Sequence, residues 1–216
     1  WIMSLGYNVD LTMVVFPSFL LGMVLIYKKQ HRVVGDLLFG LGFLFWSLVL
    51  LSSVGRDMDL AHNPDVVNFF ASFDTSSYLT ILSFLGAGTL ITCLVQSSAA
   101  VMAITILLCS TGVLPIYMGI ALVMGENIGT TATANLAALG AGTEARRAAL
   151  AHLLFNVFGV IWVLAVFYPF VDIVSALVGY NPGMAGQEER IPVVLAMFHT
   201  CFNVLNTALL IGLIPQ

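Results

Sequence analysis

Apolar runs of helical length dominate the chain, and two short polar islands cut into them. Residues 11–27 form the first run, close to the lower limit of about 17 residues for crossing a hydrocarbon core about 30 Å thick; Lys28, Lys29, His31 and Arg32 end it. Residues 33–54 form the second. A polar stretch follows over 55–77, carrying Arg56, Asp57, Asp59, His62, Asp65 and Asp74. Within it Val66, Val67, Phe69, Phe70 and Phe73 recur at helical spacing after Asn63-Pro64, a favourable helix start, so the pattern predicts a short interfacial helix. Residues 78–114 are apolar except for the island Gln96-Ser97-Ser98-Ala99-Ala100. One continuous helix there would be about 50 Å long, too long for a single crossing, so the segment is predicted to fold back at the island. Residues 116–140 are predicted as a span broken at the second island, Gly125-Glu126-Asn127-Ile128-Gly129-Thr130-Thr131, and stopped by Arg146-Arg147. Two more spans are predicted, over 148–174 and 191–214.

The pattern gives an all-α integral membrane protein with about five spanning helices and a re-entrant helical hairpin. It divides into residues 1–77, two spans with the interfacial helix, and residues 78–216, the hairpin, the broken helix and two further spans. Composition agrees. Residues of the hydrophobic classes make up 60% of the chain and charged residues only 8%, against about 25% in an ordinary soluble domain. So many apolar runs cannot be hidden inside one small soluble core. A net charge of −4 with no Lys/Arg cluster excludes nucleic acid as a partner. Cys93, Cys109 and Cys201 all lie within apolar runs and read as small buried hydrophobes rather than a disulfide or zinc framework. The first residue is Trp1, and the chain is expected to begin inside a longer polypeptide.

Charge bias bears on topology, because short cytoplasmic loops are enriched in Lys and Arg. If 78–114 is a hairpin that enters and leaves on one face, the basic segments 28–32 and 146–147 fall on the same side, predicted cytoplasmic. The 179–189 loop is then outside and the C-terminus inside. Asp36 follows Arg32 by four residues and reads as an interfacial ion pair, and Asp172 as a helix end.

The islands carry the candidate chemistry. In the first, the Ser97 and Ser98 amides can open a new helix N-terminus, an anion site through its unpaired N–H groups and the positive end of the helix dipole. Gln96 adds both a donor and an acceptor. The bland reading is a kink whose serines bond back to the preceding turn. In the second, Gly125 and Gly129 bracket Glu126 and Asn127. Freed carbonyls, the Asn127 oxygen and the hydroxyls of Thr130, Thr131 and Thr133 are hard oxygen ligands suited to a small cation. The alternative is a helix-packing surface of small residues. A carboxylate inside a span is a functional candidate by default, and for Glu126 a place facing a cavity or pairing with a basic group is favoured over direct ligation.

A further echo joins His152-Leu153-Leu154-Phe155-Asn156-Val157 to His199-Thr200-Cys201-Phe202-Asn203-Val204, both reading HxxFNV. Offsets of three and four residues put His, Phe and Asn on one helix face, pointing into the bundle. His152 and His199 could carry protons, but they read as neutral hydrogen-bonding struts, with Asn156 and Asn203 as accessory polar groups.

QSSAA, GENIGTTATA from Gly125, and ARRAALAHLLFNVFG, in that order, resemble the type II sodium-dependent phosphate (Na/Pi) cotransporter family over most of 79–203. That family has two inverted repeats, each contributing a QSS-type hairpin and a GxNIGTT-type broken helix, which together enclose phosphate and sodium. The resemblance implies that Gln96, Ser97, Ser98, Thr130 and Thr131 bind phosphate, and that Gln96, Ser98, Asn127, Thr130 and Thr131 bind sodium. Glu126, His152, Asn156, His199 and Asn203 are accessory candidates. Here Ala99 replaces the last serine of the usual QSSS, and Glu126 occupies a position often small in the family. One copy of each motif is present, so the chain looks like the C-terminal half of an inverted-repeat transporter. A complete site then needs an upstream repeat or a partner chain; a homo-oligomer is compatible with this.

The implied function is sodium-coupled symport of inorganic phosphate across the cell membrane by alternating access. Sodium is the co-transported ion; no organic cofactor and no enzymatic activity are expected. Three alternatives stand beside it: a sodium-coupled carrier of another oxyanion such as a dicarboxylate, a phosphate-sensing membrane scaffold without flux, and an intramembrane hydrolase using Ser97 or Ser98 with His152. The last needs a contact that no motif here enforces.

Overall fold

The computed structural model describes residues 1, 2, 4, 10–184 and 186–212. Regular structure among them is helical, without strands. We number the α-helices α1 (Thr12–Tyr27), α2 (Arg32–Asp57), α3 (Pro64–Ala71), α4 (Tyr78–Val95), α5 (Ser98–Ser110), α6 (Ile116–Ala138), α7 (Thr143–Ala165), α8 (Phe167–Leu177) and α9 (Ile191–Ile211). The last predicted span ends three residues early, at Ile211; Leu213 and Ile214 lie outside the described residues.

Local chemistry sets most of the boundaries. The Asn63 side chain accepts the Asp65 N–H at 3.0 Å and Pro64 begins α3, so this short helix starts where predicted. Asp74 closes the next turn, accepting the Ser76 N–H at 2.9 Å and its hydroxyl at 2.7 Å, and these bonds hold its carboxyl below the ordinary range. Arg146 caps the far end of α6, donating to the carbonyls of Ala138 at 3.2 Å and Leu139 at 2.6 Å. Arg32 and Asp36 form the expected exposed pair, at 3.8 Å.

Among the described residues, four helices are long and apolar enough to cross a membrane: Arg32–His62, Tyr78–Val95, Thr143–Ala165 and Glu188–Ile211. The expected count of about five had included α1 and α6. With 16 residues α1 falls short. The expected span over 148–174 divides at Val166 into α7 and α8. Pro169 explains the division: it has no N–H for the Ala165 carbonyl, and its ring would clash there. Asp172 lies inside α8, not at a helix end; the Tyr117 hydroxyl donates to it at 3.5 Å.

Helix α6 is the centre of the fold, packed on by α4, α5, α7 and α9. Contacts fix the directions. Gly88 of α4 meets Leu122 of α6, Thr89 meets Gly125, and Thr92 meets Gly129, so α4 and α6 run parallel. Along α5 the order reverses, Thr105 against Glu126 and Cys109 against Gly119, so α5 returns antiparallel to both. The segment therefore folds back at Gln96-Ser97 as predicted. Leu48 and Gly55 of α2 meet Ala103 and Leu107 of α5 in the same sequence order. That parallel pairing puts the start of α2, with Arg32, and the end of α6, with Arg146-Arg147 just beyond, at one end of the bundle.

One expectation is overturned. α6 runs unbroken from Ile116 to Ala138, through the whole Gly125–Gly129 island. The glycines serve packing: a Cβ on Gly125 would stand 2.1 Å from the Leu85 carbonyl oxygen, and one on Gly129 2.6 Å from that of Thr89. Two helix backbones touch along this face, which is what a pair of small residues four apart allows in a membrane. The expected free carbonyls do not arise. Thr130 donates back to the Glu126 carbonyl at 2.8 Å, Thr131 to that of Ile128 at 2.7 Å, and Thr133 to that of Thr130 at 3.1 Å.

Candidate functional site

The other island does break its helix. Gln96 ends α4 in the left-handed region at φ 58°, ψ 24°, with its N–H still bonded to the Thr92 carbonyl at 2.8 Å. Ser97 is extended, and its hydroxyl oxygen accepts the Ala100 N–H at 3.2 Å, capping α5. Among the described residues the serines do not bond back to the preceding turn: Ser97 bonds forward, as the cap of a new helix whose N-terminus opens at Ser98. Gln96 is exposed, and its side chain makes no hydrogen bond among the described residues.

That N-terminus opens beside a cavity of about 180 Å³. Ser98, Met102 and Ile106 line it from α5, Glu126 and Asn127 from α6, and His199 from α9, and Trp1 lines it as well. Asn127 stands eleven residues before the end of α6, so at about 1.5 Å per residue the cavity lies about 16 Å short of that end of the bundle. The Asn127 Oδ1 faces the His199 Nε2 at 3.1 Å, and its Nδ2 is buried with no partner among the described residues. Glu126 is 3% exposed and accepts the Thr105 hydroxyl at 3.2 Å. Of the two readings favoured for Glu126, the cavity-facing one holds: it makes no ion pair among the described residues.

The structure thus brings Ser98, Glu126, Asn127 and His199 together, with Gln96 and Ser97 next to them in the chain. Thr130 and Thr131 do not line the cavity; Thr130 is exposed and Thr131 fully buried, and both hydroxyls are engaged by their own helix. His152 is exposed on α7, where it borders an alanine-lined groove between α6 and α7. The HxxFNV echo is real at the level of hydrogen bonds. Asn156 donates to the His152 carbonyl at 2.9 Å, and Asn203 to the His199 carbonyl at 2.8 Å. Of the two histidines only His199 reaches the cavity, as the strut expected. Among the described residues no group of three His, Cys, Asp or Glu could hold a metal ion. The three cysteines are free; Cys109 is buried, as its place in an apolar run implies, whereas Cys93 and Cys201 are only half-buried.

Sequence reasoning missed Thr105. Its signal was present: Ser98, Met102, Thr105 and Ile106 stand at offsets of four, seven and eight, one face of a helix. It also missed Asn206, fully buried, which donates to the Phe155 carbonyl at 2.9 Å, accepts the Trp162 indole at 3.3 Å, and so ties α9 to α7.

Residues 66–180, more than half of the chain, match the Na+/Pi-cotransporter family. The chain belongs to this family. The match takes in the α4–α5 hairpin, all of α6, and Ser98, Glu126 and Asn127; His199 lies beyond it. Among relatives, the chain is 27% identical over 182 residues to the uncharacterized protein YqeW of Bacillus subtilis, covering 84% of this chain and 54% of YqeW. It is 33% identical over 139 residues to the human sodium-dependent phosphate transport protein 2B, covering 62% of this chain and 20% of that protein. It is 29% identical over 154 residues to YjbB of Escherichia coli, whose name proposes inorganic phosphate export, covering 70% of this chain and 26% of YjbB. The chain therefore spans about half the length of the first relative and about a quarter or a fifth of the others. No solved structure matches. Family and helices together make this a multi-pass membrane protein of a phosphate-transporting family.

Proposed function

We propose that the chain supplies one of two half-sites of a sodium-coupled phosphate symporter working by alternating access. The observation that carries the reading is the break at Gln96-Ser97, which opens a capped helix N-terminus part-way through an apolar bundle, beside a polar cavity. Such an end presents N–H groups and the positive pole of the helix dipole to an anion. Phosphate oxygens accept from the Ser98 end of α5, from the serine hydroxyls and from Gln96. The unpartnered Asn127 amide N–H group is a further donor. Sodium takes the neutral oxygens of Gln96, Ser98 and Asn127; Thr130 and Thr131 join only by turning their hydroxyls from the carbonyls they now serve. Sodium beside the hairpin tip offsets the anion's charge in a low-dielectric site, so each raises the other's affinity. The second half-site comes from another repeat of the polypeptide or from a partner chain, and the α4–α5 hairpin enters and leaves the membrane on one face. On this topology the Lys28–Arg32 and Arg146–Arg147 segments are cytoplasmic.

The test is radiolabelled phosphate flux in proteoliposomes containing the full-length protein, with and without a sodium gradient. Ser97→Ala with Ser98→Ala removes both tip hydroxyls and brings sodium-dependent flux to background, while loss of the cap costs about 1 kcal/mol of stability. Wild-type flux in the double variant refutes the assignment. The likeness to YjbB favours a second reading, net export through the same site; flux that follows an imposed phosphate gradient outward and ignores sodium selects it.

A further inference from the structure

We infer that Glu126 selects the anion: its carboxylate accepts a hydrogen bond from the O–H of phosphate, so the cavity favours tetrahedral oxyanions that carry a hydroxyl over those that carry none. The inference rests on the reading of the cavity as an anion site. Two independent observations support that reading at these atoms. The N-terminus of α5 opens beside the cavity, and the Asn127 Nδ2, on a side chain only 8% exposed, lies there buried without an acceptor among the described residues. Most polar groups around the cavity can donate: the N–H groups at the start of α5, the Ser98 hydroxyl and the Asn127 amide. The Asn127 oxygen is already turned to His199. Glu126 is the exception, the one acid among the described residues that line the cavity. It sits mid-way along α6, 3% exposed. A carboxylate can accept roughly four hydrogen bonds; among the described residues this one receives a single bond, from the Thr105 hydroxyl at 3.2 Å.

An acceptor so placed sorts oxyanions by whether they bring a hydrogen. Phosphate meets the donors with its bare oxygens and near neutral pH keeps at least one O–H. Directed at Glu126, that hydrogen lies between two oxygens of like charge and turns their repulsion into a charge-assisted hydrogen bond. Sulfate and monofluorophosphate match the phosphate dianion in shape and charge but have no hydrogen. Either sets an oxygen or fluorine against the carboxylate and leaves a buried acceptor unpaired, which costs the desolvation of that group. A polar site discriminates most strongly against an analogue that lacks the group it is built to bond. The selection works by position and fixed charge; no proton joins or leaves the protein.

Displacement of bound radiolabelled phosphate from the full-length protein reads the selection without requiring flux, at a mildly alkaline pH where phosphate is the dianion with a single O–H. Unlabelled phosphate and arsenate, which both carry that hydroxyl, are expected to displace it at similar concentrations. Sulfate and monofluorophosphate should need concentrations at least roughly a hundredfold higher. Glu126→Gln keeps an oxygen for the Thr105 hydroxyl and can turn an N–H to the anion, so the gap closes to within about tenfold. Thr105→Val removes the donor that the carboxylate now has, leaving the substrate O–H to satisfy it, and widens the gap. Equal displacement by all four anions in the wild type overturns the inference, as does a wild-type ranking that survives unchanged in E126Q. An E126Q protein whose sodium requirement changes while its anion ranking does not makes Glu126 a sodium ligand and also overturns it. If E126Q does not fold, T105V decides, an unmoved or narrowed gap overturning the inference. Selective binding without flux under any gradient counts against the transport reading and leaves the selection standing.

Discussion

Two polar interruptions that look alike in the sequence have opposite fates. Gln96-Ser97-Ser98 breaks its helix; Gly125–Gly129 does not, although it carries two glycines and a carboxylate. The difference lies in what each can do without leaving the helix. Threonine hydroxyls and glycine backbones on α6 are satisfied inside helical geometry, by back-bonding and by the close approach of α4. At the first island the chain must reverse, because α4 and α5 together exceed any single crossing, and Ser97 supplies the cap for the helix that returns. Polarity alone does not break a membrane helix; a turn with a capping group does.

The sharpest way to test that contrast is Gly125→Val. Its Cβ would stand 2.1 Å from the Leu85 carbonyl oxygen and 2.6 Å from the Thr89 nitrogen, both backbone, so α4 and α6 must part. We expect a loss of roughly 3 kcal/mol or more, seen as aggregation on size exclusion or a large fall in Tm in detergent. A variant with wild-type Tm would mean that the glycine face is not the contact that holds the hairpin to α6.

The sequence made the hairpin legible through length and Gln96-Ser97, because a run too long for one crossing leaves only one place to turn. It also placed the start of the short helix α3, through Asn63-Pro64. It did not separate a glycine pair that packs from a glycine pair that bends, since Gly125 and Gly129 favour both and only the partner helix decides. Thr130 and Thr131 were misplaced for the same reason: read as ligands of a break, they are engaged by a helix that has none. The pairing of His199 with Asn127 joins α9 to α6 across 72 residues of chain, a contact no local pattern encodes.

A smaller effect is expected at the break itself. Ser97→Asp keeps an oxygen to accept the Ala100 N–H and places a negative charge at a helix N-terminus, so stability holds within about 1 kcal/mol. The same charge sits where phosphate is proposed to bind, and flux should fall to background. Ser97→Ala reverses the order, losing about 1 kcal/mol of cap and only part of the flux while Ser98 remains. If the aspartate variant transports normally, the α5 N-terminus is a structural cap and nothing more.

The smallest effect on stability, and the finest cut, comes from Gln96→Gly. At φ 58° Gln96 occupies a region that costs a non-glycine residue roughly 1–2 kcal/mol, which glycine removes; the greater entropy of glycine in the unfolded chain takes back roughly 0.5–1 kcal/mol. The fold should therefore hold or tighten slightly, with Tm unchanged or a few degrees higher. The exposed amide is lost at the same time, without disturbing the turn that positions Ser97 and Ser98. A fall in phosphate affinity with the fold intact would assign binding to the Gln96 side chain. Unchanged affinity would leave the opened helix end and the serines as the whole of this half-site, and would make the left-handed turn, rather than the glutamine, the reason a break exists there.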